Sequence, residues 1–497
     1  MKRFWFLILL SVSAISLYIH YITANSWMTD DAYISFRYAE NLINGHGLVF
    51  NIGEFVEGYS NFLWVLLIAG GMKLGVSPET SAIFISIICA IGTASILTFF
   101  TFKTAKKELP VYSALYPAIL FTGIGNYWLW TFGGGLEPIL FSFFNTTAIL
   151  FFALSHDVSV SNARLFFLSI LCFVIALTRP EGAMTFVYIL FALIFIQRKQ
   201  KPFAKVLWFI TPFVLFFSVY LVWKLSYFGD LIPNTFYAKV DMSGNQVFNG
   251  LKYSLKFFSA YSIITIFLLP AVWIDSQKIR YNYLIFGFVI MYAGFVSVVG
   301  GDFMFAFRLF VPIVPLLAVL AYNGIEVVFS RNLFYIVIGV TTILSNTQSR
   351  FHPELKWEIE KYTTVIRGEK VGKFIAKNFP ADAKIAVTAA GAIPYFSKLY
   401  TIDMLGLTNR EIAHNGSSDI QPDITGHLKY NISIVIQKKP DLIYFGDGFG
   451  SPTPLRKAEK ELFESTYFQQ NYSLHKYLVE NDTLQVYVLH QFESNTR

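Results

Sequence analysis

The chain is short of both cysteine and charge. Of its 497 residues only Cys89 and Cys172 are cysteine, and both lie inside apolar runs, so no disulfide framework is implied. Charged residues make up 14% against 55% hydrophobic ones, and the mean hydropathy is +0.51. A soluble domain carries about a quarter charged residues, which excludes one globular body in water. Repeated long apolar runs leave a polytopic α-helical membrane protein. Walker loop, HExxH and CxxC patterns are missing, so nucleotide hydrolysis and zinc chemistry drop out. Neither a metal nor a cofactor is expected, and there is no internal repeat or low-complexity tract.

What is present is basic charge in a particular place. The formal net charge is +7, but the lysines and arginines cluster in short loops between apolar runs. That is a topology signature rather than a nucleic-acid footprint, so no nucleic-acid partner is expected. The first run, residues 4–22, follows Met1-Lys2-Arg3, is longer than a signal-peptide core and lacks an A-x-A site. It reads as a first membrane helix with its basic start in the cytoplasm. "NFLWVLLIAGGMKLG" (61–75) holds only about a dozen strongly apolar residues and suits a segment lying on the membrane. Placed there, it leaves Lys103, Lys106 and Lys107 inside, as the positive-inside rule wants.

Further spans are expected near 82–102, 111–126, 138–154, 165–178, 182–197, 204–226, 257–274, 282–299, 309–329 and 332–346, about 11 in all with the first. The basic loop 197–205, Lys278 and Arg280 then fall inside and the C-terminus outside. The expected division is a transmembrane part, 1–346, whose first outer loop (25–79) includes membrane-surface helices, and an extracytoplasmic α/β domain, 347–497. In the latter "KIAVTAAGAIPYFS" reads as a strand entering a Gly/Pro turn and "PDLIYFG" as a second buried strand. "GEKVGKFIAKNF" reads as an amphipathic helix.

With that topology, Asp30, Asp31, Arg37, Glu57, Asn61, Arg179, Glu181, Asn234, Lys239, Asp302 and Arg308 fall in outer loops, and Glu137 at the outer end of a helix. Acids do little to set orientation, so their outward excess reads as a site. Each stretch also has a plain structural reading. "TRPEG" is a helix stop, "GGDFMFAFRLF" a glycine hinge with Arg308 snorkelling, "FGDLIPNTFYAK" an ordinary turn, and the Asp30-Asp31 pair a solvated span end. Together they fit a lipid-phosphate substrate entering sideways from the bilayer, its phosphate held by cations while a carboxylate deprotonates an incoming hydroxyl.

"DDAYISFRYAENLINGHGLVFNIGEFVEGYSNFLW" (30–64) closely resembles the first outer loop of the terminal arabinofuranosyltransferases, GT-C enzymes that use polyprenyl-phosphate sugars to finish cell-wall arabinans. "GLEP" (135–138), "TRPEG" (178–182), "PNTFYAK" (233–239), "GGDFM…R" (300–308) and "GAIPYFS…IDMLGLTNREIA" (391–413) follow in that family's order. The resemblance implies an inverting transferase of a bacterial inner membrane, with a polyprenyl-phosphate-linked sugar as donor. Its acceptor would be an envelope glycan or glycolipid. The general base falls on Asp30 or Asp31, with Asp30 the first choice and its neighbour capping a helix, binding a cation or orienting the acceptor. Some of Arg37, Arg179, Lys239 and Arg308 would hold the donor phosphate. Glu57, Asn61, Glu137, Glu181, Asn234 and Asp302 would hold the sugar or the acceptor. A transporter or flippase of lipid-linked sugars is the rival reading, but the inner face lacks a matching acidic set.

Overall fold

Apolar runs become helices wherever no proline or glycine interrupts them. In the computed structural model the described residues are 2–24, 27–105, 111–155, 160–197, 203–239, 244–274, 276, 278–351, 362–417 and 429–492. Most of the basic loop 197–205, together with Lys106 and Lys107, lies outside them. The chain divides into two compact units, the first being Met1–Trp27, Ala82–Val222 and Ser243–Trp357.

That unit is helical. Five described helices are long and apolar enough to cross a membrane: Phe4–Ala24, Pro78–Thr104, Phe203–Phe228, Ile279–Val298 and Arg308–Val328. A bent pair, Asn245–Ala260 and Ser262–Trp273, makes a sixth if its 78° break is crossed as one span. The apolar helices Pro138–Leu154, Asn162–Thr178 and Pro180–Ile196 are shorter. Run 111–126, expected as one span, is instead a 3-10 turn (Val111–Leu115) and two short helices, Tyr116–Thr122 and Gly125–Thr131. Pro117 starts the first of these and Gly123 ends it. Apolar composition marks immersion; it does not mark continuity. The unit packs around Arg308–Val328, 83% of whose apolar window is buried, against 17% for Phe203–Phe228. The latter turns Leu215, Val219 and Val222 outward, as a lipid-facing helix does.

The second unit is Met28–Ser81, Trp223–Met242 and Glu358–Arg497. The first loop therefore packs with the C-terminal residues, whereas its place in the chain suggests that it belongs with the transmembrane part. Helix Asp30–Ile43 and helix Phe62–Lys73 come from that loop. The amphipathic helix is Tyr362–Asn378, and a mixed sheet follows: β1 (Lys384–Val387), β2 (Tyr400–Asp403), β3 (Leu442–Ile443), β4 (Tyr472–Val479) and β5 (Asp482–Leu489). Strand order is β2-β1-β3-β5-β4, with Ala386 opposite both Ile402 and Ile443 in parallel register. β5 runs antiparallel to β3 and β4. Ile402, Val435, Ile443, Phe445 and Phe468 fill the core beside it. β1 and β3 match the expected strands; β2 and the β4–β5 hairpin escaped the sequence reading.

Candidate functional site

Helix Asp30–Ile43 opens with two acids in its first turn, where carboxylates complement the helix dipole. The two do different things. Asp30 Oδ2 accepts the Gly391 N–H at 2.9 Å and Oδ1 the Ala392 N–H at 2.8 Å. It thus caps helix Ala392–Ser397 rather than the helix it begins. Burial pushes its carboxyl up to about 6, the Ala392 N–H pulls it down, and the charges of Asp31 and Asp447 add to the rise. The half-buried Asp31 makes no hydrogen bond or ion pair among the described residues.

Two turns further on, Arg37 is buried and spent. Its Nε donates to Phe50 O (2.7 Å), Nη1 to Pro394 O (2.8 Å) and Thr401 Oγ1 (3.3 Å), and Nη2 to Leu399 O (2.8 Å) and Asn51 Oδ1 (3.3 Å). Burial lowers its guanidinium to about 10, so it stays charged at neutral pH. All five N–H groups have protein acceptors, which leaves none for the phosphate expected there. Arg37 stitches the first loop to the C-terminal segment.

Glu57 meets Lys224, Nζ to Oε2 at 2.7 Å, with both side chains buried. Burial pushes the Glu57 carboxyl up to about 7 while the Lys224 charge pulls it down. Lys224 escaped the sequence reading; its signal was a single lysine in "FVLFFSVYLVWKLSYF", and an ionisable group in such a run is functional by default. Asn61 exchanges hydrogen bonds with Ser35 Oγ, joining the loop's two helices. Asn234 donates from Nδ2 to Gly406 O (2.8 Å) and Leu407 O (2.9 Å), and its backbone N–H donates to Glu57 O (3.0 Å). Lys239, in helix Asn234–Lys239, makes no ion pair or hydrogen bond among the described residues.

The first unit holds the remaining candidates. Arg179 Nη1 donates to Glu137 Oε1 at 2.5 Å, and Nε donates to Glu181 Oε1. "TRPEG" makes this possible, since Arg179 sits in extended backbone between helix Asn162–Thr178 and the turn Pro180–Gly182. Arg308 forks onto Asp302, Nε to Oδ2 at 2.7 Å and Nη2 to Oδ1 at 3.1 Å. The intervening segment is strained: Ala306 and Phe307 lie at φ 53° and 47°, left-handed positions that cost side-chain-bearing residues and gather at functional sites. Tyr292 is within electrostatic reach of Glu181, Arg179 and Glu137, and Tyr253 within reach of Asp302, Arg308 and Tyr292. The two arginine clusters are thus neighbours bridged by tyrosines, a pairing that sequence spacing could not show.

A family model described as "Domain of unknown function (DUF8728)" matches residues 356–488. No curated protein matches the chain. Among solved structures, ArnT from Cupriavidus metallidurans bound to undecaprenyl phosphate is similar at TM-score 0.65 and 11% identity, covering 99% of each chain. The same protein in the apo state gives TM-score 0.59 and 13% identity over 98% of each chain. At such identity the common property is the fold, and it extends over nearly the whole length: the chain is a polytopic helical membrane protein with the fold of ArnT.

Proposed function

We propose that the protein is an inverting glycosyltransferase of a bacterial inner membrane. It takes a sugar from a polyprenyl-phosphate donor and delivers it to an envelope glycan or glycolipid on the outer face; by the resemblance of the first loop, the sugar is a pentose such as arabinofuranose. The observation that carries this reading is the division of labour in the Asp30-Asp31 pair, one carboxylate anchored by two backbone N–H groups and its neighbour without a hydrogen bond or ion pair among the described residues. The fold it shares with a protein crystallised with undecaprenyl phosphate supports the donor class.

In this mechanism Asp31 is the base, reversing the order expected from the sequence, because Asp30's oxygens are already committed. Asp30 holds the first turn of its helix in place and so aims Asp31. The proton of the acceptor hydroxyl passes to Asp31 as that oxygen bonds to the anomeric carbon from the face opposite the phosphate. The bond from the anomeric carbon to the phosphate oxygen breaks, and the lipid phosphate leaves as an anion that needs no separate acid. Lys239 leads the phosphate contacts, since it makes no ion pair among the described residues, and Arg37 is assigned to structure.

The test is release of polyprenyl phosphate from a panel of labelled polyprenyl-phospho-pentoses and hexoses by purified wild type. Turnover of one member that is lost in Asp31→Asn is expected. Transbilayer movement of the intact lipid-linked sugar without release would make the protein a carrier instead.

A further inference from the structure

Tyr292 lies on helix Ile279–Val298 with its ring packed against Phe288 and Phe295. Its hydroxyl is fully buried and has no hydrogen-bond partner among the described residues. A buried, unpaired hydroxyl is a standing cost to folding. Phenylalanine would keep every ring contact and remove that cost, in a chain that already uses 52 phenylalanines. The hydroxyl is within electrostatic reach of Glu181, Arg179 and Glu137.

The balance of that cluster selects its ligand. Arg179 is already shared between two carboxylates, so it offers little positive field to a phosphate. Arg179 has committed Nη1 and Nε, while Nη2 has no protein acceptor among the described residues. What remains are donors on Tyr292 and Arg179 beside carboxylate acceptors, the complement of a neutral polyhydroxyl group rather than an anion. We propose that Glu137, Arg179, Glu181 and Tyr292 form the subsite for the transferred sugar, and that Tyr292 discriminates between sugars by donating its hydroxyl proton to a sugar oxygen. This moves Arg179 from the phosphate to the sugar. It rests on the transferase reading above.

Full-length wild type and Tyr292→Phe in nanodiscs are compared by melting temperature, by binding of undecaprenyl phosphate, which has no sugar, and by KM over the polyprenyl-phospho-sugar panel. The expected result is a melting temperature that holds or rises, unchanged affinity for undecaprenyl phosphate, and a KM for the preferred sugar donor raised about two- to tenfold, the loss of one neutral hydrogen bond. An unchanged KM overturns the proposal. So does a lower melting temperature, which would mark the hydroxyl as a structural bond, or an equal weakening of both lipids, which would mark it as a phosphate ligand. A wild type that turns over no member of the panel overturns the transferase reading itself. An active wild type matched by Tyr292→Phe overturns only the sugar subsite.

Discussion

Arg37 and Lys239 are equivalent on sequence grounds, two cations in outer loops beside motifs of one family. Their surroundings separate them. Removing Arg37 takes the charged donor from the carbonyls of Phe50, Pro394 and Leu399 and leaves them to neutral donors such as the Asn41 amide, the Lys398 N–H and the Thr401 hydroxyl. A hydrogen bond to a charged group contributes about 1.5–3 kcal/mol. Arg37→Met is therefore expected to destabilise the fold by at least about 3 kcal/mol, read as a large drop in melting temperature. A variant that melts normally but loses only donor affinity would return Arg37 to the phosphate. The aspartates split in the same way. Asp31→Asn keeps size and fold but is far too weak a base, so transfer should fall about 10²–10⁴-fold at an unchanged melting temperature. In Asp30→Asn the amide accepts one N–H and turns its own NH₂ toward the other. The expected first symptom is lost stability. Equal melting temperatures with Asp30→Asn the slower enzyme would restore the original order.

At the level of elements, the two catalytic candidates depend on how two helix starts meet. Helix Asp30–Ile43 approaches Gly391 so closely that a Cβ there would lie 2.0 Å from the Asp30 carbonyl oxygen and 2.5 Å from its Cγ. Gly391→Ala must push these helix starts apart. Its cost in melting temperature should largely overlap that of Asp30→Asn, so the double variant should be clearly less unstable than the sum of the singles. Additive losses would mean that the contact is not shared. The surface segment is legible at this scale too. Phe62–Lys73 has 12 residues, a length of about 18 Å against about 30 Å of hydrocarbon, too short to span upright. The expected span 111–126 failed for the complementary reason, since its apolar residues sit in two helices set apart by Gly123 and an extended Ile124.

Across the molecule, the buried Glu57–Lys224 pair ties the first loop to the end of a long apolar helix. Its folded-state carboxyl lies above the ordinary 4.5, at about 7, so the folded protein holds that proton more tightly than the unfolded chain. The stability this provides is complete below about pH 4.5 and is lost as the pH rises through about 7. Melting temperature against pH should fall across that window in wild type and flatten there in Glu57→Gln. Lys224→Met, which leaves a buried carboxylate without its cation, should cost about 3–5 kcal/mol above about pH 7, whereas Glu57→Gln combined with Lys224→Met should recover most of that loss. A double variant no more stable than Lys224→Met would show that the uncompensated Glu57 carboxylate is not the source of the cost.

The sequence by itself determined immersion in a bilayer, a sheet at the C-terminal end, and strands β1 and β3. These are additive or local properties. Transfer into lipid sums along a run whatever its partners, and strand patterning lies within a few residues. The tertiary structure alone decided which residues are left to react. Arg37 is consumed by Pro394 and Asp30 by Ala392, partners 357 and 362 positions away. Lys224 is matched to Glu57, and the Tyr292 hydroxyl has no hydrogen-bond partner among the described residues. Whether a donor or acceptor is free depends on every group within about 3 Å of it, and no local pattern in the chain encodes that.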